Sequence, residues 1–175
     1  MAPITKEEAL RNYTEIEALM IVVHTLGAVA PQLSDNHWSI VLKLPGQRQR
    51  SIRMSMEQEQ DDDPTGILRW SEHNYWISHS VIKTWEFNVP NGLCVCHVAD
   101  LLYENGRHLY QFSGGGSGCR YWVWTIIHDL IAKGWFNQEV TNILEPQLQL
   151  RWHTSQRTTA QAWVQGQFYT YASSA

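Results

Sequence analysis

A glycine-rich stretch that runs into a single cysteine is the part of this sequence that most clearly suggests chemistry. The stretch spans residues 113–119 and reads SGGGSGC, and an apolar, helix-like run follows it directly. A thiol in the first turn of a helix lies beside unsatisfied backbone N–H groups and the positive end of the helix dipole, which favour the thiolate. Glycines let the backbone approach a bound group closely and present N–H donors to an anion. We therefore predict Cys119 as a nucleophile, with Gly116, Ser117 and Gly118 near an oxyanion.

The candidate base lies far upstream, at His37, where an alternating strand pattern begins. Successive side chains of a strand point to opposite faces, so His37 and Ser39 share one face and Trp38 lies on the other. The Trp38 face is apolar along the whole strand and is predicted to be core. We expect the mixed face of His37 to meet the start of the Cys119 helix, where an imidazole could take the thiol proton. Trp38 and Ser39 are then candidate substrate contacts.

Each of these residues also has a plain structural interpretation. Free cysteines are most often small core residues, the glycines could form a turn, and the histidine could lie at the surface. A third group should orient the base in a triad. The polar face of the neighbouring hairpin strand offers Ser51, Arg53 and Ser55, which include no His, Asn, Asp or Glu. Asn36 or Ser39 could take that role instead, or the site could be a dyad.

Charge and cysteine content exclude several classes of protein. The net charge of -4 and the scattered basic residues argue against a nucleic-acid partner. Three cysteines are too few, and odd in number, for a disulfide framework. The metal-ligand types that lie closest together are Cys94, Cys96, His97 and His108. Their spacing is not that of a zinc site, so we expect no metal and no cofactor.

The location of the protein is also constrained by its sequence. The first residues are acidic and lack the apolar core of a signal peptide. No apolar run approaches the roughly 18 residues needed to span a membrane. Free cysteines fit a reducing compartment. We therefore expect a cytoplasmic protein without a membrane span, and the sequence leaves its oligomeric state open.

Tryptophan is unusually common, with nine in 175 residues. Its amphipathic ring is often found in the walls of binding sites, so the surroundings of the site suit an apolar or aromatic small molecule or a peptide. Two large residues, Arg120 and Tyr121, follow the candidate nucleophile directly. We expect both near the rim of the cleft, where the guanidinium of Arg120 could meet an anionic group of the substrate.

Patterns along the chain predict one α+β domain over residues 1–175. A Thr-x-x-Glu capping box at Thr5 and Glu8 predicts a short helix over residues 6–12. Alternation and apolar runs predict strands over 19–24, 37–44, 50–56, 67–70, 81–89 and 109–112. Helical spacing predicts helices over 95–103, 119–133 and 137–152, the last interrupted near Pro146. The polar residues from 153 onwards are expected to form an irregular wrap.

The order of a histidine on a hairpin strand and a cysteine that opens a later helix resembles the circularly permuted papain-like superfamily. That superfamily includes NlpC-type and PPPDE-type peptidases and relatives of lecithin:retinol acyltransferase. The resemblance covers the His37 strand, its hairpin partner and the Cys119 helix. It implies an antiparallel sheet packed against a central helix that opens with Cys119, the nucleophile, with His37 as base. Residues 36–38 and 118–122 are also similar to segments of small fungal domain proteins of unassigned function.

Three functions are compatible with these residues. The first is thiol-dependent acyl chemistry on an amide or ester: hydrolysis or acyl transfer, in a biosynthetic role or on a peptide. The second is a non-catalytic binding module, in which the glycine loop and helix start hold a carboxylate or phosphate. The third is a cofactor-free cyclase or isomerase that uses His37 as acid and base.

Overall fold

The computed structural model describes residues 1–26, 36–59, 63–113 and 118–170, which form a mixed α+β fold. The predicted fold class is confirmed. Four helices occur in these residues: α1 (Lys6–Leu10), α2 (Val95–Glu104), α3 (Cys119–Ala132) and α4 (Glu139–Leu148). The strands are β1 (Ala2–Ile4), β2 (Ala18–Thr25), β3 (Asn36–Lys43), β4 (Ser51–Gln58), β5 (Thr65–His73), β6 (Val81–Asn88), β7 (Tyr110–Gln111), β8 (Leu150–Trp152), β9 (Thr158–Ala160) and β10 (Gln167–Phe168). None of the helices just named is long and apolar enough to cross a membrane.

An antiparallel sheet of eight strands organises the described part of the fold. Its order is β10-β7-β5-β4-β3-β2-β6, and β1 also pairs with β5, whereas β8 and β9 form a separate pair. Strands β2 and β3 pair along their whole length. Strands β3 and β4 pair only from Ser39 opposite Ser55 onwards. The first residues of β3, 36–38, therefore have no β4 partner in the described sheet.

The helices pack on one face of this sheet and form its main core. In β3 the side chains of Trp38, Ile40 and Leu42 are fully buried in that core, because strand alternation places them on the same face. Trp122 and Ile126 of α3 join the same cluster, which confirms the predicted apolar stripe of this helix. The apolar faces of β3 and α3 bury each other, and this burial holds α3 against β3.

The opposite face of the sheet is mixed rather than uniformly polar. Met20 and Val22 of β2 form a small buried cluster there with Val41 of β3. Trp76 and Val81 pack against it. Trp76 belongs to the connection between β5 and β6, so this connection covers part of the outer face.

The C-terminal third departs in part from the sequence prediction. The predicted helix over 137–152 ends at Leu148, and residues 150–152 form strand β8 instead, which corrects that expectation. The reason lies in a distant residue: the Asn36 side chain donates to the Trp152 carbonyl at 2.8 Å and accepts from the Trp152 N–H at 2.7 Å. The Asn36 side-chain amide thus makes the two backbone hydrogen bonds to Trp152 that a neighbouring strand would otherwise make. The tail also contains regular structure, because β9 pairs with β8 and β10 pairs with β7.

Candidate functional site

Helix α3 begins at Cys119, as the sequence predicted. The preceding residue, Gly118, has a φ of 133°, which side chains other than glycine rarely adopt. A Cβ at this position would also lie 2.9 Å from the Tyr110 hydroxyl oxygen. That hydroxyl donates to the Gly118 carbonyl at 2.7 Å. A glycine and a buried tyrosine therefore fix the point at which the cysteine enters the helix.

The Cys119 sulfur faces the interior rather than an open cleft. Its residue is only 6% exposed and belongs to the same core cluster as Trp38. Burial raises the pKa of the Cys119 thiol, and the Trp38 backbone N–H and the Arg120 charge oppose that rise only in part. A helix N-terminus contributes about 0.3–1 kcal/mol, whereas full burial can shift a pKa by several units. The thiol is therefore protonated at rest, in contrast to the thiolate expected from the helix dipole alone.

The His37 side chain lies on the opposite face of β3 from Trp38, because neighbouring strand residues alternate. Its Nε2 atom is buried and has no hydrogen-bond partner among the described residues. No hydrogen bond therefore joins this nitrogen to Cys119. Burial lowers the pKa of His37 to about 4, with a further contribution from the positive charge of Arg53. Helix α3 packs against the Trp38 face, so the thiol lies beside the Trp38 backbone and not beside the imidazole. This corrects the expectation that the face of β3 bearing His37 meets the start of the Cys119 helix.

A second histidine, His24, lies directly across from His37 on β2. The two ring centroids are 6.4 Å apart. The His24 Nε2 atom is 2.9 Å from the Ser39 hydroxyl, and its Nδ1 atom is 3.0 Å from the Ser80 hydroxyl. Burial lowers the pKa of His24 to about 3, and the charge of Arg53 adds to the effect. The predicted substrate contacts Ser39 and Trp38 are both fully buried, Ser39 against His24 and Trp38 in the core, which corrects these two predictions.

Sequence reasoning did not identify His24 as part of this site. The candidates that the sequence offered to orient His37 lie on β4, which follows β3 in the chain, or on β3 itself, at Asn36 and Ser39. The partner that faces His37 comes from β2, on the other side. The sequence does contain an indication of this pair. One apolar strand ends with a histidine, and the next strand begins with one.

Arg120 does not lie at a cleft rim, which corrects that prediction. It is 3% exposed, and its guanidinium donates to the carbonyls of Leu148 and Ala162, each at 2.6 Å. Backbone carbonyls attract it because a guanidinium has five donors and no acceptor. Tyr121 is half-buried and contacts the ring of Trp163 edge to face. Arg120 therefore holds both α4 and the C-terminal segment against α3, and Tyr121 holds the C-terminal segment.

A family model for a domain of unknown function, DUF7770, matches residues 19–169, most of the chain. The chain belongs to the DUF7770 family. No curated protein and no solved structure matches it. The DUF7770 range includes His24, His37 and Cys119, so the candidate site lies within the family's domain.

Two further sets of residues from the sequence analysis are the predicted oxyanion contacts and the cysteines whose spacing does not match a zinc site. Gly116 and Ser117, the predicted oxyanion contacts, lie outside the described residues. Cys94 and Cys96 are free thiols, the former half-exposed and the latter buried. Within the described ranges, no three His, Cys, Asp or Glu side chains are grouped so that they could hold a metal ion.

Proposed function

We propose that the DUF7770 domain carries out thiol-dependent acyl chemistry, with Cys119 as nucleophile and His37 as base. One observation carries the proposal: the thiol opens α3 beside the backbone N–H of Trp38, the residue that follows His37. The thiol therefore lies next to the stretch of backbone that carries the imidazole. At this position β3 has no β4 neighbour in the described sheet.

The chemistry begins with a neutral pair, because burial raises the pKa of the thiol and lowers that of the imidazole. At rest the imidazole lies on the face of β3 opposite the thiol, so proton transfer requires the start of β3 to reorient. His37 then takes the thiol proton as the sulfur forms a bond to the substrate carbonyl carbon. In this proposal the Cys119 N–H, at the start of α3, holds the oxyanion. The imidazolium then protonates the leaving amine or alcohol as its bond to carbon breaks. Water or an acceptor nucleophile finally cleaves the thioester and restores the thiol.

The substrate class and setting are part of the same proposal. A small apolar or aromatic amide or ester, or a peptide, fits a tryptophan-rich chain with a net charge of -4. The same charge does not favour a nucleic-acid partner. A cytoplasmic location agrees with free cysteines. The further assignment to a permuted papain-like enzyme rests on the order of His37 and Cys119 in the chain.

A non-catalytic binding module is the second candidate function. It is favoured by a specific observation: the His37 Nε2 atom has no hydrogen-bond partner among the described residues, and the thiol is protonated and buried. A resting catalytic pair would ordinarily be linked by a hydrogen bond, although such bonds are often loose without substrate. The two candidates differ in whether a covalent acyl intermediate forms.

An activated ester tests for that intermediate. We expect p-nitrophenyl acetate to acetylate Cys119, detected by intact mass and peptide mapping. The change His37→Gln should slow this acetylation by at least about 100-fold, the usual contribution of a general base. Cys119→Ser should abolish the thioester.

Cys94→Ser and Cys96→Ser are matched controls, since each removes a thiol outside the candidate site. Both should leave the acetylation rate unchanged. Preferential modification of the half-exposed Cys94, or a Cys119 rate that His37→Gln does not alter, would refute the catalytic proposal. Circular dichroism of each variant separates loss of chemistry from loss of fold.

A further inference from the structure

Part of the C-terminal segment, residues 161–169, crosses the start of α3 as a strap. A backbone hydrogen bond fastens each end of this strap. The Gln161 N–H donates to the carbonyl of Gln149, the residue that ends α4, at 2.9 Å. The Tyr169 N–H donates to the Leu109 carbonyl at 3.2 Å, and β10 pairs with β7 over two residues. The strap therefore spans the distance from α4 to β7.

The strap contacts the residues on both sides of Cys119. Before the cysteine, a Cβ on Gly118 would lie 3.5 Å from the Gly166 nitrogen, so these two stretches of backbone touch. After the cysteine, Arg120 donates to the Ala162 carbonyl at 2.6 Å. Cys119 lies between these two contacts and is 6% exposed. The strap is therefore part of what closes the start of α3 around the thiol.

Tyr121 extends this contact along the first turn of the helix. Its ring meets the Trp163 ring edge to face, with the two centroids 6.2 Å apart. The Phe168 ring lies on it at a centroid distance of 6.1 Å. Both of these rings belong to the strap, so side chains as well as backbone hold the strap against the first turn of α3.

The Tyr110 hydroxyl joins the strap to the same point of α3. It accepts from the Gly166 N–H at 3.1 Å and donates to the Gly118 carbonyl at 2.7 Å. The same carbonyl accepts from the Trp122 N–H at 3.1 Å, within the first turn of α3. Release of the strap would therefore loosen a group that is bonded directly to this first turn.

The strap is anchored more weakly than the helix it crosses. Of residues 161–170, all of which the structure describes, Gly166 alone is buried, and it has no side chain. Trp163 is 37% exposed, whereas Trp122 and Ile126 of α3 are fully buried in the main core. Segments with few buried apolar contacts open at a lower free energy than core elements. The strap can therefore leave while α3 stays on the sheet.

We propose that the strap is an autoinhibitory cover of the Cys119 thiol. In place, it holds the first turn of α3 closed. On release, this turn frays as helix ends do, and the thiol becomes accessible to a substrate. The inhibitory role rests on the acyl chemistry proposed above, because a cover regulates activity only if Cys119 is the nucleophile. Access to the thiol is measured without any catalysis.

Alkylation of the full chain with iodoacetamide, mapped by peptide mass spectrometry, measures this access. Cys94→Ser removes the half-exposed thiol and leaves two buried ones, Cys119 and Cys96. Each rate is divided by the rate of the same thiol in the urea-unfolded chain, so that only the opening of the fold is compared. We expect Cys119 to react at least about tenfold faster than Cys96, because release of a strap costs less than opening of the core. Low urea concentrations should raise the Cys96 rate and leave the Cys119 rate nearly unchanged, since a local opening exposes little surface.

A disulfide across β7 and β10 should lock the strap in place. Gln111 and Gln167 are exposed and directly opposite each other in this pair of strands. We expect Gln111→Cys with Gln167→Cys, oxidised by glutathione disulfide, to slow Cys119 alkylation at least about tenfold, toward the rate of Cys96. Gln111→Ser with Gln167→Ser is the matched control, because it cannot form the bridge, and Cys119 should react there as it does in Cys94→Ser alone.

Tyr110→Phe should loosen the strap, because it removes the hydroxyl that joins Gly166 to Gly118 and keeps the ring. We expect Cys119 alkylation about tenfold faster, the usual effect of losing one or two hydrogen bonds. Tyr75→Phe is the matched control: it removes a bonded hydroxyl from the connection between β5 and β6 and should leave the Cys119 rate at low urea unchanged. Trp163→Ala removes a half-exposed ring of the strap and should speed the reaction about fivefold. It keeps the test decisive if Tyr110→Phe does not fold.

Either of two results would overturn the proposal: the same relative rate and urea dependence for Cys119 and Cys96, or a Cys119 rate that the disulfide does not change. The acyl chemistry fails on a different measurement, the acetylation of Cys119 and its dependence on His37. A strap that controls alkylation in a chain without such acetylation would remain a cover, but of a thiol that is not a nucleophile. Acetylation that depends on His37, together with alkylation that the disulfide leaves unchanged, would support the enzyme and refute the strap.

Discussion

Burial is the main factor that sets the charge of the histidines on the outer face of the sheet. It lowers the pKa values of His24 to about 3 and of His37 to about 4 from an ordinary value of 6.5. His73 is shifted in the same direction, again chiefly by burial. The positive charge of Arg53 adds to all three shifts. The folded protein therefore keeps these rings neutral at pH values where the unfolded chain protonates them.

The sign of the resulting pH dependence follows from proton counts. Between the unfolded value of 6.5 and the folded values near 3–4 the unfolded state binds more protons, so the free energy of unfolding falls as the pH falls. We expect a loss on the order of 1–2 kcal/mol per buried histidine between about pH 7 and pH 5. Urea denaturation at both pH values measures it.

His37→Gln should reduce the difference in unfolding free energy between the two pH values, because one of the shifted groups is gone. His128→Gln is the matched control, since it removes an exposed imidazole from α3. A pH dependence that is the same in parent and His37→Gln would contradict the assignment of a buried neutral ring.

At the scale of elements, Tyr110 joins three parts of the fold. Its hydroxyl donates to the Gly118 carbonyl at 2.7 Å and accepts from the Gly166 N–H at 3.1 Å. The start of α3 is therefore linked through β7 to the C-terminal segment. Gly166 fits against this ring because it has no side chain: a Cβ there would lie 2.2 Å from the tyrosine hydroxyl oxygen and 2.5 Å from the Gln111 carbonyl.

Gly166→Ala should displace the C-terminal segment from β7. A contact this short cannot persist, and overpacking of this kind typically costs about 1–3 kcal/mol. We expect a lower urea midpoint and faster hydrogen exchange at the first amides of α3. Gln165→Ala changes the exposed neighbouring residue and should do neither. Equal stability of the two variants would show that Gly166 is not confined as described.

At the scale of the molecule, one apolar core joins the described elements from α1 to β8. It includes Ala9 near the beginning of the chain and Trp152 near the end. Helix α1 also packs against α2, and β1 extends the sheet at β5. Such continuity favours a single cooperative unit.

We therefore expect one unfolding transition. Far-ultraviolet circular dichroism, which follows the sheet and helices, and tryptophan fluorescence should give coincident urea curves. A calorimetric enthalpy equal to the van't Hoff enthalpy would support the same conclusion. Two separated transitions would show that the C-terminal segment or the outer face unfolds independently.

The sequence by itself determined the features that depend on local pattern. The capping box at Thr5 placed α1, alternation placed β3, and the glycine before Cys119 placed the start of α3. Each of these depends on neighbours within a few residues, so the local pattern was enough to predict it. The core role of Trp38 followed from the same alternation.

Only the tertiary structure decided what surrounds those side chains. Strand order placed His24 opposite His37. The buried Arg120 donates hydrogen bonds to carbonyls that are distant in the chain. The packing of α3 on β3 enclosed the Cys119 thiol and raised its pKa. These outcomes depend on contacts between residues far apart in the chain. Desolvation arises only from such contacts, and here it outweighs the local effect of the helix start on the thiol.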